Sequence, residues 1–483
     1  MTSITFLGAA QTVTGSKYLL DTGKAKVLID AGLFQGLKEL RDRNWQDLPV
    51  KASELDAIVL THAHLDHCGY LPRIVQQGFN GRVFCTAGTK DLCSLVLPDS
   101  AHIQEEDAEN ANRHGYSRHA PALPLYTGVD AARALALLQP VGYDRPMPLP
   151  GGIELTFLSA GHLLGSAYAR FRLNGQTILF GGDLGRFGRP VLPDPTMVAA
   201  ADYLLVESTY GNRVHEQDDN GEVLAALVRE TAQRGGKMII PAFAIGRVEE
   251  LLYWIKRLED EKRIPVLPVF VDSPMATAAL ARYSERVNEL DPELQPEAAD
   301  EIAPHGPAAH EPRERRRQQA RQERDLCVFC TDRFRTIGSP QESKELTASR
   351  MPAIVISASG MATGGRVLHH LKAALPEARN TVLFAGFQAE GTRGRQLVNG
   401  EPTVKIHGQM IPVRAKIAKI DSMSAHADSK EILHWLRGFQ APPKLTFLVH
   451  GEANAMQALK ATITTDLGWK THAPAWKERV DLE

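Results

Sequence analysis

The apolar run AIVL at positions 57–60 empties into THAHLDHCGYLPR, which crowds His62, His64, Asp66 and His67 into six positions. A buried strand that ends this way either solvates its polar side chains in a loop or gathers them around a cation. Only 17 histidines occur among 483 residues, so three of them with a carboxylate in one short loop favour the cation. The strand holds the loop rigidly, and the curl of the loop lets side chains a residue or two apart converge. Imidazole nitrogen and carboxylate oxygen, with no cysteine among them, suit catalytic zinc better than structural zinc.

Other apolar runs end in the same manner. LSAGHLLGSA offers His162, TILFGGDLGR offers Asp183 behind a glycine pair, KVLIDAG offers Asp30 and LTFLVHGE offers His450. Each taken alone is an ordinary capping or hydrogen-bonded residue. Taken together with the first cluster they supply enough donors for two zinc ions.

The organisation of the chain can be read from its texture. Over residues 1–211 short β runs dominate: SITFLGA, KYLLDT, AKVLIDAG, AIVLTHA, RVFCTA, IELTFLSAG, AYARFRLN, TILFGGDLG and YLLVEST, with helical pieces at LPRIVQQG and VDAARALALLQ. Over 212–420 strand and helix alternate. GEVLAALVRETAQRGG, IGRVEELLYWIKRLEDEKR and GGRVLHHLKAAL read as helices, while KMIIPA, VLPVFVDS, PAIVISASG and TVLFAGF read as strands. That is the pattern of a parallel sheet. The β-rich texture returns over 421–483. The reading is thus a β-rich domain split by an α/β insert.

Bulk composition bounds the partners. Fifty-five Lys and Arg against 57 Asp and Glu give a formal charge of −2, which argues against non-specific coating of nucleic acid but leaves room for a basic groove. No window is apolar enough to span a bilayer, and the first residues lack the basic start of a signal peptide. Five cysteines do not suggest a disulfide framework, so a reducing, cytoplasmic address is expected. Within the charged run 292–324, PRERRRQQARQER reads as a solvated helix face, with a nucleic-acid arm as the alternative. Cys327 and Cys330 form a lone CxxC read as buried or half-buried thiols, and His369 and His370 read as surface or packing residues.

At this point the chain resembles a known family. HAHLDH, the glycine-flanked His162 and the GGD carrying Asp183 resemble the ligand motifs of the metallo-β-lactamase fold. LLVESTYGN, IIPAFAIGRVEELL, VDSPMA, SASGMATGGR, SMSAHAD and LVHGE resemble the β-CASP group of that superfamily, nucleases related to the 3′-end-processing endonuclease of the cleavage-and-polyadenylation complex and to bacterial and archaeal ribonucleases. The resemblance covers nearly the whole chain. It implies an α/β fold: a metallo-β-lactamase αββα sandwich interrupted by an inserted β-CASP domain, with the active site in the cleft between domains.

It also implies roles. His62, His64 and His162 would hold one zinc, Asp66, His67 and His450 a second, and Asp183 would bridge, other divalent metals remaining compatible. Asp30 would orient ligands, and Glu207 and His426 match the group's own acidic and histidine motifs. Two zinc ions can activate a shared hydroxide and clamp a phosphodiester, and the leaving oxygen then needs a proton, for which His426, steadied by Glu207, is the candidate. In the family the RNA-cutting branch carries histidine at the SAHAD motif, so a zinc-dependent ribonuclease acting on single-stranded RNA is implied.

The insert offers candidate phosphate contacts at Ser359, Gly360, Thr363, Gly364, Gly365 and Arg366, with Arg247, Arg393 and Arg395 repeating a Gly–Arg theme. Few aromatic residues lie near these loops, so no stacking platform is evident. A homodimer is left open. The rival readings are a DNA-end nuclease, a small-molecule hydrolase acting on thioesters or lactams, and a catalytically silent scaffold of an RNA-processing assembly.

Overall fold

The computed structural model of the chain describes residues 2–115, 117, 119–216, 219, 221–295, 328–386, 388 and 391–483. Cys327 and all but the first four residues of the charged run 292–324 lie outside the described residues. The chain divides into two compact units. The first comprises Met1–Arg189, Asp194–Val214 and His426–Glu483, and the second comprises Pro190–Pro193 and His215–Ala425.

The first unit is built on two seven-stranded sheets. One orders its strands Arg479–Leu482, Thr2–Phe6, Tyr18–Asp21, Lys26–Ile29, Ala57–Val59, Arg82–Cys85 and Leu138–Pro140. The other orders Thr471–His472, Leu445–Val449, Tyr203–Glu207, Gln176–Phe180, Ala167–Leu173, Ile153–Ser159 and Met147–Leu149. Each β run read from the first 211 residues forms a strand here. Their inner faces share one core, in which Phe6, Val27 and Val59 of one sheet meet Phe157, Phe171, Phe180 and Phe447 of the other. The outer face of the second sheet carries Tyr168, Leu179 and Val206 against Trp435 of the helix Ser429–Leu436 and Ile463 of the helix Ala453–Leu467. The helix Ala87–His114, 28 residues long with Pro98 inside it, escaped the sequence reading. Its ends are conventional: Thr86 accepts from the Thr89 N–H, and Gly115 closes it at φ 64°.

What positions a site in this unit is the parallel part of each sheet. Lys26–Ile29 and Ala57–Val59 run parallel, with Ile29 opposite Val59. Gln176–Phe180, Tyr203–Glu207 and Leu445–Val449 also run parallel, with Phe180 opposite Leu205 and Glu207 opposite Val449. Parallel neighbours bring their carboxyl ends to the same edge, so the residues just past Ile29, Val59, Phe180, Glu207 and Val449 gather there.

The second unit holds a six-stranded sheet ordered Phe334–Thr336, Val269–Val271, Ala353–Ser357, Lys237–Pro241, Thr381–Ala385 and Lys416–Ile420. Every pairing in it is parallel. The helices Glu222–Gln233, Arg247–Asp260 and Val367–Ala374 are those read from the alternating pattern. The structure therefore has the α/β class implied above, a two-sheet sandwich with flanking helices and a separate parallel α/β unit.

Candidate metal centre

His62 and His64 follow the strand Ala57–Val59, and Asp66 and His67 lie in the short helix Leu65–Cys68. Asp183 follows Gln176–Phe180, Glu207 ends its own strand, His450 follows Leu445–Val449, and His162 lies in the turn between Ile153–Ser159 and Ala167–Leu173. All belong to the first unit. His62, His67, His162, Asp183, Glu207 and His450 are buried.

Two principal donor sets form, and Asp183, Glu207 and His450 make a third that overlaps them. His62, His64, His162 and Asp183 make one, and Asp66, His67 and His450 the other, with the donor atoms of each set within 4.8 Å of one another. Asp183 faces both. Its Oδ2 lies 3.4 Å from His62 Nε2 and 3.5 Å from His162 Nε2. Its Oδ1 lies 3.2 Å from His67 Nε2 and 3.6 Å from His450 Nδ1. His162 Nε2 is 3.2 Å from His64 Nδ1, and Asp66 Oδ2 is 3.2 Å from His450 Nε2.

The residues present fit a divalent metal. Both carboxylate oxygens of Asp183 and the Nε2 of His67 are buried without a hydrogen-bond partner. Buried polar atoms are ordinarily satisfied, and a cation between the two sets would satisfy these. Burial, followed by repulsion from neighbouring imidazoles, lowers the basicity of His62, His64 and His162, that of His64 to about 3. Neutral imidazole is the form that ligates. At His67 and His450 burial acts the same way, but the nearby carboxylates outweigh it and raise both.

A second layer orients these donors. Asp30 Oδ2 lies 2.7 Å from His67 Nδ1, while its Oδ1 accepts from the Thr61 N–H at 2.8 Å. That contact fixes Nδ1 of His67 as the protonated nitrogen and turns Nε2 toward Asp183. Asp30 is thus occupied as a positioning group. Glu207 Oε1 accepts from the Leu184 N–H at 2.6 Å, and its Oε2 lies 3.0 Å from His426 Nδ1. Burial would lower His426, but Glu207, Asp183 and Asp66 push it up to about 9.

Sequence reasoning missed two hydroxyls here. Thr61 Oγ1 contacts both oxygens of Asp30 and lies 3.2 Å from His62 Nδ1. Thr209 Oγ1 donates to Glu207 Oε2 and lies 3.1 Å from His450 Nδ1. Their only signal was adjacency to the motif residues. Glycine also matters at two close approaches. A Cβ on Gly32 would lie 1.6 Å from the Asp66 carbonyl oxygen, and one on Gly185 would lie 2.1 Å from that of Gly161.

Comparison with known proteins identifies the family. The metallo-beta-lactamase superfamily matches residues 12–90, the Beta-Casp domain family residues 248–397, and the family described as a Zn-dependent metallo-hydrolase RNA specificity domain residues 410–474. Ribonuclease TTHA0252 of Thermus thermophilus is 35% identical over 94% of each chain. The chain belongs to the β-CASP group of the metallo-β-lactamase superfamily. As a β-CASP protein it is a metal-dependent hydrolase. It is also similar to an RNase J-like protein of Methanocaldococcus jannaschii, 28% identical over 98% of this chain and 96% of that one. The transcription termination factor FttA of the same organism is 29% identical over 98% of this chain and 70% of its own. A crystal structure of a protein of unknown function from Enterococcus faecalis shares the fold, with a TM-score of 0.52 at 13% identity.

The candidate phosphate contacts belong to the second unit. The carbonyl oxygens of Gly360, Met361 and Ala362 accept from Gln388 Nε2, the Gly394 N–H and Arg393 Nη1. Arg393 also donates to the Lys405 carbonyl at 2.8 Å, so it braces this loop. Arg366 donates to Asp272 Oδ1 at 2.8 Å. Arg247 is buried and pairs with Glu250. Arg395 lies in the first turn of the helix Arg393–Val398, its N–H accepted by Thr392 Oγ1. Ser359, half-buried, and Thr363, exposed, are hydrogen-bonded to each other at 3.0 Å. His370 is a packing residue, its Nε2 2.7 Å from Asp272 Oδ2, and His369 is exposed.

Proposed function

We propose that the protein is a zinc-dependent ribonuclease that hydrolyses phosphodiester bonds of single-stranded RNA. The observation that carries this reading is the stance of Asp183, one oxygen toward each donor set. His62, His64 and His162 would hold one zinc ion and Asp66, His67 and His450 the second, with Asp183 shared. Such a pair supplies Lewis acidity toward a phosphoryl oxygen and lowers the pKa of water.

The chain's own residues supply the rest. Asp30 and Thr61 hold His62 and His67 in their ligating orientation. With Nδ1 of His426 committed to Glu207, Nε2 is the atom that carries a proton to the leaving oxygen. In the second unit, among the described residues, the N–H groups of Gly360, Met361, Gly364 and Gly365 donate to no protein acceptor. They form a row of donors suited to the RNA backbone, and the loop's carbonyl groups are drawn away by Gln388, Gly394 and Arg393. The similarity to a named ribonuclease over nearly the full chain supports RNA as the substrate.

The test is digestion of end-labelled RNA and matched DNA by zinc-loaded protein, alongside Asp183→Ala and a chromogenic β-lactam. RNA cleavage that disappears in the variant is expected. Wild-type cleavage by Asp183→Ala, or turnover of the β-lactam without turnover of RNA, overturns the assignment.

A further inference from the structure

We propose that Phe243 is a base-stacking position for the RNA strand, a proposal that rests on the ribonuclease reading and adds a residue to it. Phe243 follows the strand Lys237–Pro241 in a loop that buries Ala242 and Ile245, yet it is 47% exposed. The Ala242 N–H donates to the Ser357 carbonyl at 3.1 Å, so the start of this loop is tied to the neighbouring strand Ala353–Ser357. The ring leans on Gly360: a Cβ there would lie 2.9 Å from both the Phe243 nitrogen and Cδ2, and 3.1 Å from Cε2. Glycine at 360 is what lets the aromatic ring settle against the loop and keep the rest of its surface in water.

The topology explains why a ligand would meet this ring. Pro241 lies opposite Ser357 in parallel register. The chain leaving Pro241 runs through the helix Arg247–Asp260 to Val269–Val271, on the far side of Ala353–Ser357. The chain leaving Ser357 runs through Val367–Ala374 to Thr381–Ala385, on the far side of Lys237–Pro241. Right-handed crossovers in opposite directions send the two helices to opposite faces of the sheet, so Pro241 and Ser357 mark the reversal of chain direction beyond which open parallel sheets usually bind ligands. Phe243 and the loop 358–366 meet beyond these strand ends, in contact at Gly360.

The chemistry of the ring and of the loop specifies one kind of occupant. An aromatic face takes any nucleobase, because every base has a π surface. The unpaired N–H groups at Gly360, Met361, Gly364 and Gly365 suit the phosphate joined to that base. Together they match one nucleotide of an unpaired strand. Bases within a duplex are already stacked on one another and cannot be offered singly.

The experiment measures binding of zinc-loaded protein to a fluorescein-labelled single-stranded RNA with phosphorothioate linkages, together with KM on the cleavable sequence. Phe243→Leu is expected to raise Kd and KM by roughly tenfold, with melting temperature and metal content at wild-type values. Phe243→Trp should bind within about twofold of wild type, its indole fluorescence quenched as the base stacks. An abasic scan of the RNA should reveal a position whose loss costs wild type about as much as Phe243→Leu does and costs that variant nothing more. Binding by Phe243→Leu equal to wild type, or an undiminished abasic penalty in it, overturns the stacking role while leaving the nuclease intact. A wild-type protein that neither binds nor cuts RNA removes both proposals.

Discussion

Glu207 Oε2 lies 3.0 Å from His426 Nδ1, although 219 residues separate them in the chain. The carboxylate is fully buried and tethered by the Leu184 N–H, so it holds the imidazole in place, while also standing within donor distance of Asp183 and His450. Glu207→Gln keeps the shape and removes the charge. It is expected to reduce the cleavage rate by about tenfold or more, and His426→Ala by roughly 10²–10⁴-fold. Both should retain wild-type zinc by elemental analysis; loss of zinc from His426→Ala would make His426 a ligand instead.

Asp30 acts on His67 from behind. Asp30→Asn leaves the size unchanged but lets the side chain present an N–H where the imidazole Nδ1–H needs an acceptor. Metal affinity is expected to fall by about 10–100-fold, the range seen when such outer partners are removed. Competition with a chelator of known affinity reads this directly, and unchanged affinity would strip Asp30 of its positioning role.

Removal of metal should destabilise the fold. Asp183 keeps two buried oxygens, and His67 one nitrogen, with no hydrogen-bond partner, so the metal-free protein carries unsatisfied buried groups. Dialysis against a chelator is expected to lower the melting temperature, and stoichiometric zinc to restore it, because only the folded chain assembles the site.

Gly32 is a purely geometric constraint. A Cβ there would lie 1.6 Å from the carbonyl oxygen of Asp66, so Gly32→Ala must displace the loop that carries Asp66 and His67. A loss of about 1–3 kcal/mol in denaturant unfolding, with weakened zinc binding, is expected.

Glu249 lies fully buried in the helix Arg247–Asp260. Burial pushes its carboxyl from 4.5 up to about 8, only partly offset by nearby backbone, including that of Gly246. The folded chain therefore binds a proton more tightly than the unfolded one. Stability is fullest below the unfolded value and falls as pH rises toward 8, because ionisation is easier once the chain unfolds. Glu249→Gln should abolish this slope and stabilise the protein by on the order of 3 kcal/mol near pH 7. Parallel pH profiles of denaturant unfolding that show the same slope in both proteins would reject this account.

The chain's local grammar carried much of this. Apolar runs closing on His62, Asp183, Asp30 and His450 announced the strands and the types of side chain that end them, because a strand end and a donor type are properties of a few adjacent residues. The alternation of strand and helix over 212–420 announced a parallel sheet for the same reason. The helix Ala87–His114 was not legible, since Pro98 interrupts a pattern that is only weakly amphipathic.

Tertiary structure alone decided which of those endings meet. Asp66 and His450 stand 3.2 Å apart across 384 residues because Leu445–Val449, paired in parallel with Tyr203–Glu207, lies in a sheet packed on the one that holds Ala57–Val59. The roles of Thr61 and Thr209, the tying of Arg366 to Asp272, and the half-exposed ring of Phe243 were equally invisible beforehand. Donor identity is written in single residues, whereas strand order and solvent exposure follow from how whole sheets pack, and no short stretch of sequence encodes that.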